Sequence, residues 1–298
     1  YPVYMRKNMS FRTIMITKQS SLNYKNRFLV VKQDIEEKYI HLSEIDTIII
    51  DTPAVSISTY LLKELSNNKI NIIFCDEKHN PFGELQSYYL SHNSPKKIML
   101  QSKWDDKTKN LIWECIVKNK IRNQILMLKN IKSERWQLLE EYFENVKNGD
   151  KTNREGHAAK VYFSELFGKN FVRHNNDIIN SALNYGYAIL LSSFNKEIVS
   201  NGYITQLGLN HKNEFNEFNL SCDFMEPFRI VIDQFIYLNP PTELTTEYKQ
   251  KLVNILNENF FYDGKNYTLK DVIKKYVKNI FSTIEEGVVY KDFYIYER

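Results

Sequence analysis

Residues 79–97 read HNPFGELQSYYLSHNSPKK, a polar run that contains Pro81, Gly83 and Pro95. Proline and glycine interrupt regular secondary structure, so this run predicts a connection between two parts of the chain. The hydrophobic pattern changes across it, from short extended runs before it to helical spacing after it. We therefore predict an α+β protein with three parts. They are a small N-terminal β-rich domain at 9–82, a linker at 83–97 and a larger all-α domain at 98–298.

Four runs before the linker are rich in β-branched and aromatic residues, which favours strands. They are FRTIMIT (11–17), RFLVVKQ (27–33), YIHLSEIDTIIID (39–51) and INIIFCD (70–76). SSLNYKN (20–26) is interpreted as a hairpin connection between the first two. SISTYLLKELSNNK (56–69) has a serine able to cap a helix, and its apolar spacing predicts one helix in the β-rich domain. Residues 1–8 precede Met9 and are set aside as vector-derived or poorly ordered sequence.

After Lys97 the apolar residues recur at helical spacing, with lysine and asparagine on the opposite face. The run 98–131 is the longest, and similar patterns follow it, each ended by glycine, asparagine or proline. The part from Glu243 is helical again and ends in VVYKDFYIYER (288–298), which is predicted to be an exposed tail.

The composition is that of a soluble globular protein, because 43% hydrophobic and 26% charged residues allow a core to form. Nothing resembles an apolar span of ~18 residues, so no transmembrane helix is expected. The three cysteines are widely spaced and outside any CxxC pattern: Cys75, Cys115 and Cys222. This spacing argues against disulfides and against a thiolate zinc site, and it favours a reducing cytoplasm. The net charge of +4 does not by itself indicate a nucleic-acid partner.

NREGHAAKVYF (153–163) is the first run that could carry chemistry. Asn153 can cap a helix, which places Glu155 in the first turn, where a carboxylate is stabilised by about 0.3–1 kcal/mol. Glu155 therefore has two open interpretations, a helix-terminal carboxylate or a functional acid. His157 lies on another face of the same predicted helix.

GLNHKNEFNEFNLSCDFMEPFR (208–229) is the second such run. His211 follows turn-like sequence and has several carboxylates near it, which together offer ligands for a divalent cation. Phe215 and Phe218 are predicted to anchor a helix, with Glu214 and Glu217 along its solvated edge.

Pro227 predicts that a helix, PFRIVIDQFIYL, begins here, because proline is tolerated only near a helix start. Asp223 is then an N-cap with Glu226 completing a capping box, or Glu226 is itself the cap. A carboxylate in this position could also hold a cation, and Arg229 could pair with it or with a phosphate. Spacing alone does not bring Glu155 to this region, so capping and a metal site both remain open.

Several runs taken in order resemble one known family. They are NREGHAAKVYFSELFG, INSALNYGYAILL, TQLGLNHKNEFNEFNL and DFMEPFRIVID, together with MSFRTIMITKQSSLNYKN, IHLSEIDTIIID and IIFCDEK in the N-terminal part. The family is the CRISPR-associated integrase that captures new spacers, the universal first adaptation protein, in its type II form. The resemblance covers nearly all of 9–236 and is weaker in the C-terminal helices.

The resemblance implies a catalytic and metal-binding triad of Glu155, His211 and Glu226. Type II members carry glutamate at the last position, where many relatives carry aspartate. Asp223 corresponds to a second acid that assists in some relatives. Two carboxylates and one imidazole suit Mg²⁺ or Mn²⁺. Four basic residues near the triad become candidate contacts to DNA phosphates: Arg154, Lys160, Lys212 and Arg229.

The resemblance also implies an activity and an assembly. The β-rich domain would dimerise, and two dimers would flank a small dimer of the second adaptation subunit in a heterohexamer that holds double-stranded DNA. Type II relatives cooperate with the RNA-guided effector nuclease and a ring-forming accessory protein. The helical domain would catalyse metal-assisted transesterification between captured DNA and the CRISPR repeat. A nuclease that only hydrolyses DNA, and a silent DNA-binding scaffold whose acids cap helices, are the alternatives.

Overall fold

The computed structural model describes residues 12–85, 91, 93–147 and 149–296. Residues 1–8, which the sequence predictions set aside, lie outside these ranges. The chain separates into two compact units that meet between residues 90 and 91, a position inside the predicted linker 83–97.

The N-terminal unit is rich in β-structure. Its described elements are β1 (Arg12–Ile16), β2 (Ser20–Lys25), β3 (Phe28–Gln33), β4 (Glu36–His41), β5 (Ile45–Ile50), β6 (Val55–Ile57), α1 (Thr59–Asn67), β7 (Asn71–Cys75) and β8 (Pro81–Glu84). One four-stranded sheet has the order β1-β5-β7-β8, and the other has the order β4-β3-β2-β6. β1, β5 and β7 are parallel neighbours, whereas β2, β3 and β4 are antiparallel neighbours.

Residues 20–26 form strand β2 and its turn rather than the predicted hairpin connection. β2 pairs antiparallel with β3, and only Asn26 and Arg27 lie between the two strands. Both residues have positive φ, 48° and 69°, which is the backbone that a two-residue hairpin requires. The strand was missed because its alternation is short, with Leu22 in the core and mostly polar residues around it.

The run 39–51 divides between the two sheets, since it contains the end of β4, a 3₁₀ turn and β5.

The predicted helix is confirmed as α1. It begins after Ser58, whose hydroxyl accepts the Leu61 N–H at 3.3 Å. Leu61 and Leu65 of α1 are fully buried in the core of this unit.

Both ends of the stretch 83–97 belong to regular elements. Gly83 and Glu84 complete β8, and the first C-terminal helix begins at Ser94 with Pro95 in its first turn. Proline fits there because the first turn does not need its missing N–H. Described regular elements therefore extend into the predicted linker from both sides, and its residues 86–90 and 92 lie outside the described residues.

The C-terminal unit is mainly helical, so the predicted α+β class is confirmed. Its helices are α2 (Ser94–Gln101), α3 (Asp106–Asn130), α4 (Trp136–Glu144), α5 (Arg154–Phe167), α6 (Ile178–Ser200), α7 (Asn219–Met225), α8 (Arg229–Leu238), α9 (Thr246–Asn254) and α10 (Leu269–Glu286). A hairpin of β9 (Asn259–Tyr262) and β10 (Lys265–Thr268) adds a small sheet to the expected helices. None of the helices in the described ranges has the length and apolar character needed to cross a membrane.

The predicted exposed tail is partly buried. Phe293 is fully buried and stacks on Phe228, with ring centroids 4.2 Å apart. Its carbonyl accepts hydrogen bonds from the Asn119 and Asn123 side chains of α3, each at 2.8 Å. Its N–H donates to Asn119 Oδ1 at 3.0 Å. These paired bonds fix the C-terminal segment to α3.

Candidate active site

Glu155 lies in the first turn of α5, but other groups cap that helix. Asn153 Oδ1 accepts the Gly156 N–H at 3.2 Å, and the Asp150 carboxylate accepts the N–H groups of Arg154 and Glu155 at 2.8 and 2.9 Å. These bonds satisfy the exposed N–H groups of the first turn. The Glu155 carboxylate is therefore not needed as a cap and is available to other partners.

Asp223 organises the loop that carries His211. Its fully buried carboxylate accepts the backbone N–H groups of Leu209, Asn210 and His211 at 2.6, 3.1 and 3.2 Å. Gly208 permits this close wrapping, because a Cβ there would lie 2.8 Å from Asp223 Oδ2 and 2.5 Å from the His211 carbonyl oxygen. Asp223 lies inside α7, so its predicted role as an N-cap is wrong.

His211 is held in one orientation by the same carboxylate. Its Nδ1 lies 2.5 Å from Asp223 Oδ1, and its ring meets the Trp113 ring edge-on at 5.9 Å between centroids. An ionised carboxylate only accepts hydrogen bonds, so Nδ1 carries a proton, and in the neutral imidazole Nε2 remains able to bind a cation. The hydrogen bond to Asp223 raises the pKa of His211, against the opposing effect of burial.

Glu226 opens a buried 3₁₀ turn, Glu226–Phe228, between α7 and α8. Its carboxylate accepts Lys120 Nζ at 2.5 Å and Arg229 Nε at 3.0 Å. Burial raises the pKa of this carboxyl, but the two cations outweigh burial and hold it at about 2. Within this described segment no side chain caps the turn or α8, so both predicted capping roles of Glu226 are wrong.

Lys120 of α3 bridges the two acids of the predicted triad and is an additional site residue that was not among the predicted ones. Its Nζ lies 2.6 Å from Glu155 Oε1 and 2.5 Å from Glu226 Oε2. Burial lowers the pKa of this amine, but the two carboxylates more than offset burial and the pKa is raised. Its partners are 35 and 106 residues away in sequence, so the local run KNKIRN gives no sign of the contact.

The three residues of the predicted triad line one open cavity of ≈ 680 Å³. Three separate segments bring them there: the start of α5, the loop before α7 and the turn before α8. The cavity is also lined by Lys120, Arg173, His174, Asn184, Tyr187, Arg229 and Asp233. Acids, an imidazole and several cations therefore face the same space.

The donors fit a divalent cation in chemistry, since two carboxylates and an imidazole suit Mg²⁺ or Mn²⁺. As the side chains stand, however, no group of three His, Cys, Asp or Glu residues in the described ranges is arranged to hold a metal ion. The Glu155 and Glu226 carboxylates instead converge on the Lys120 ammonium. The arrangement already accommodates a cation between the two acids, and Lys120 supplies it.

The four predicted DNA contacts occupy different positions. Among the described residues of this group, Arg229 alone lines the cavity, where it pairs with an acid. Arg154 lies over the Tyr142 ring at 5.8 Å, and Lys160 is exposed. Lys212 is exposed beside a second cavity of ≈ 340 Å³.

Glu214 and Glu217 are exposed, as predicted, but they do not lie on a helix. Residues 211–218 form turns in which asparagine side chains accept backbone N–H groups two positions further on. Such turns compete with helix formation. Phe215 is 89% exposed, so the prediction that it anchors this segment is wrong.

A buried acid lies beside the triad in the same cavity. Asp233 of α8 accepts hydrogen bonds from the hydroxyls of Tyr187 and Tyr162, the latter at 3.2 Å. Burial raises the pKa of Asp233 to about 6, although both hydroxyls lower it. Asp233 was not among the predicted site residues, although a single acid inside the apolar run RIVIDQFIYL is a signal for it in the sequence.

Solved structures share this fold. The chain matches a casposase bound to integration product with a TM-score of 0.79 at 19% identity, covering 96% of this chain and 95% of that one. It matches a chain of a Cas6-RT-Cas1–Cas2 complex with a TM-score of 0.76 at 19% identity, covering 100% of this chain and 37% of that one. The β-rich unit followed by a helical unit is therefore the architecture of a known class of proteins.

Sequence comparison identifies the family within that class. The family model described as CRISPR associated protein Cas1 matches residues 14–246. The CRISPR-associated endonuclease Cas1 of Neisseria meningitidis serogroup C (strain 8013) is 32% identical over 293 residues, which cover 95% of this chain and 94% of the relative. The chain belongs to the Cas1 family, and the predicted family is confirmed.

Proposed function

We propose that this chain is the integrase of CRISPR adaptation, a metal-dependent enzyme that inserts short DNA into a CRISPR array for antiviral defence. The observation that carries the proposal is that Glu155, His211 and Glu226 line one cavity in a chain of the Cas1 family. The casposase with the same fold, which was solved with an integration product, supports the reaction class. The endonuclease name of the Neisseria relative supports chemistry on DNA.

Glu155, Glu226 and His211 Nε2 would hold Mg²⁺ or Mn²⁺. Such an ion, when bound, neutralises charge on the attacked phosphate and favours deprotonation of the hydroxyl. The protein contributes the rest of the arrangement. Asp223 holds the imidazole in the tautomer that presents Nε2, and Arg229 keeps Glu226 ionised.

The proposed reaction is a transesterification. The free 3′-hydroxyl of the captured DNA attacks a phosphodiester at the leader–repeat junction. One new P–O bond forms, the original P–O3′ bond breaks, and the released 3′ oxygen takes up a proton. The number of phosphodiester bonds is conserved, so the step needs no energy-rich co-substrate. A second attack at the far end of the repeat joins the other strand.

We also propose the assembly. The substrate is double-stranded DNA, both the captured protospacer and the CRISPR repeat. The β-rich N-terminal unit forms the homodimer, and two dimers flank a Cas2 dimer in a heterohexamer. The structurally similar Cas6-RT-Cas1–Cas2 complex supports the Cas2 partner. The RNA-guided effector nuclease and a ring-forming accessory protein complete the proposed set of partners.

A joining assay with supercoiled repeat DNA, a duplex with free 3′-hydroxyls and Mn²⁺ tests the proposed activity. We expect the parent protein to join the strands, and Glu155→Ala and His211→Ala to lose most of the product. Glu217→Ala removes an exposed acid outside the cavity and should behave as the parent does. Equal joining by all four proteins would refute the assignment.

The same assay separates integration from hydrolysis. Duplexes with blocked 3′ ends should give no joined product, because the attacking hydroxyl is absent. Mn²⁺-dependent cleavage that persists with blocked ends, without joining by free ends, would instead identify a nuclease. A silent scaffold would show no Mn²⁺-dependent rise in melting temperature, whereas the proposed enzyme should show a rise that Glu226→Ala abolishes.

A further inference from the structure

Arg173, in the segment before α6, has a guanidinium that is fixed by neutral groups. Its Nη1 donates to Asn180 Oδ1 and its Nη2 donates to Asn184 Oδ1, each at 2.8 Å. Its central carbon lies 5.1 Å from the centre of the Tyr187 ring. Two amides and one ring therefore set the orientation of this cation without neutralising its charge.

The neighbouring Arg229 shows the contrast. It lies 4.6 Å from the centre of the same Tyr187 ring, but it pairs with Glu226 at 3.0 Å. Within the part of the chain that the structure describes, no carboxylate lies within ion-pair distance of Arg173. An oriented guanidinium with free N–H donors recognises carboxylate or phosphate oxygens. Its expected partner is therefore an anionic ligand.

Arg173 lines the same cavity as Glu155, His211 and Glu226, and His174 lies beside it on that lining. An anionic ligand held by Arg173 would thus lie in the same space as the three proposed metal ligands. A phosphodiester is the anion that belongs beside such a site in an enzyme that joins DNA.

We propose that Arg173 forms a phosphate subsite, which positions a backbone phosphate of a DNA strand in the cavity. This inference rests on the proposed function. Arg173 acts by positioning the strand, and Asn180 and Asn184 act by presenting its guanidinium. The carboxylates and His211 remain the groups that hold the metal.

Binding of DNA at several salt concentrations tests the subsite directly. Arg173→Gln should weaken binding roughly 10-fold and reduce the slope of log affinity against log salt by about 1, as expected for the loss of one phosphate contact. Arg173→Lys should keep the slope, because the charge remains, and lose part of the affinity, because the planar fork is lost. Arg135→Gln is the matched control, since Arg135 is 57% exposed, pairs with Glu165 and lies outside the cavity lining.

Separate salt titrations of binding to the captured duplex and to the repeat duplex show which DNA Arg173 contacts. A smaller slope of log affinity against log salt in Arg173→Gln with either duplex supports the subsite. Asn184→Ala keeps the charge of Arg173 but removes one of the two amides that hold its guanidinium, so it should lower the affinity for DNA and leave the slope unchanged. Unchanged affinity and slope in Arg173→Gln with both duplexes would overturn the subsite.

Two further readouts separate this subsite from the proposed function. In Arg173→Gln the Mn²⁺-dependent rise in melting temperature should persist, because no proposed metal ligand has changed. If that rise and the joining activity are present while DNA binding is unaffected by Arg173→Gln, the subsite fails and the integrase stands. If the parent protein shows neither metal stabilisation nor DNA joining, the proposed function fails and the subsite fails with it.

Discussion

Replacement of Lys120 by methionine gives the sharpest test of how the candidate site is held together. The change keeps most of the apolar stem and removes the ammonium that lies 2.6 Å from Glu155 and 2.5 Å from Glu226. The Lys120 side chain is 13% exposed and that of Glu226 is 5% exposed. The substitution therefore leaves two acids facing each other with little access to water.

The expected loss of stability follows from that burial. Removing one partner of a buried ion pair costs about 3–5 kcal/mol, because the remaining charge stays buried without compensation. For a domain of 150–250 residues this corresponds to a fall in melting temperature of about 6–20 °C. Arg229 still pairs with Glu226, which favours the lower part of this range.

Lys118→Met is the matched control, because Lys118 is on the same helix and pairs with Glu114 at 2.8 Å on a more exposed face. Such a helical pair contributes only about 0.3–0.5 kcal/mol. Urea unfolding of both variants and the parent gives the two differences in free energy. Mn²⁺ should restore more stability to Lys120→Met than to the parent, since a divalent cation can replace the missing charge. Similar losses in both variants would refute the bridging role of Lys120.

Three further predictions concern the site and its surroundings. Phe293→Ala should lower the free energy of unfolding by about 3–5 kcal/mol, because it removes a buried ring stacked on Phe228, and urea unfolding measures the loss. Asp233, whose pKa is raised to about 6, contributes most stability below its unfolded pKa and loses that contribution as pH rises through its folded pKa. The free energy of unfolding of the parent minus that of Asp233→Asn should therefore fall by roughly 1 kcal/mol from pH 5 to 7.5, and a constant difference would contradict this. Glu226, whose pKa is lowered to about 2, contributes stability above its unfolded pKa of about 4.5 and loses that contribution as pH falls towards 2. Melting temperatures between pH 7 and 3 should therefore fall less in Glu226→Gln than in the parent.

Local signals allowed several predictions to be made from the sequence. Three features were predicted because the residues that determine them are close together in the sequence. They are the start of α1 after a serine, the boundary between the units near residue 90 and the start of α5 after an asparagine. The Asp263–Gly264 turn of the C-terminal hairpin is a similar signal that the helical interpretation passed over. Phe293 was expected to be exposed because its partners, Asn119 and Phe228, lie far away in the sequence.

In the candidate site, too, contacts between residues distant in sequence could not be predicted from local patterns. Glu155, His211 and Glu226 were assigned through resemblance, because their spacing in sequence could not show that they line one cavity. Lys120 and Arg173 were missed for a physical reason. Lys120 in its polar helical sequence, and Arg173 in its polar connection, have the same local pattern whether water or side chains of other helices surround them. Only the packing of α3, α5 and α6 distinguishes these cases.

The proposed function requires that Glu155, His211 and Glu226 bind one divalent cation. A crystal soaked in Mn²⁺ and measured at the manganese absorption edge tests it directly. We predict one anomalous peak in the ≈ 680 Å³ cavity, in coordination contact with Glu155, His211 Nε2 and Glu226. A cavity without a peak while Lys120 still bridges the two carboxylates, or a peak held only by exposed acids such as Glu214, would contradict the claim.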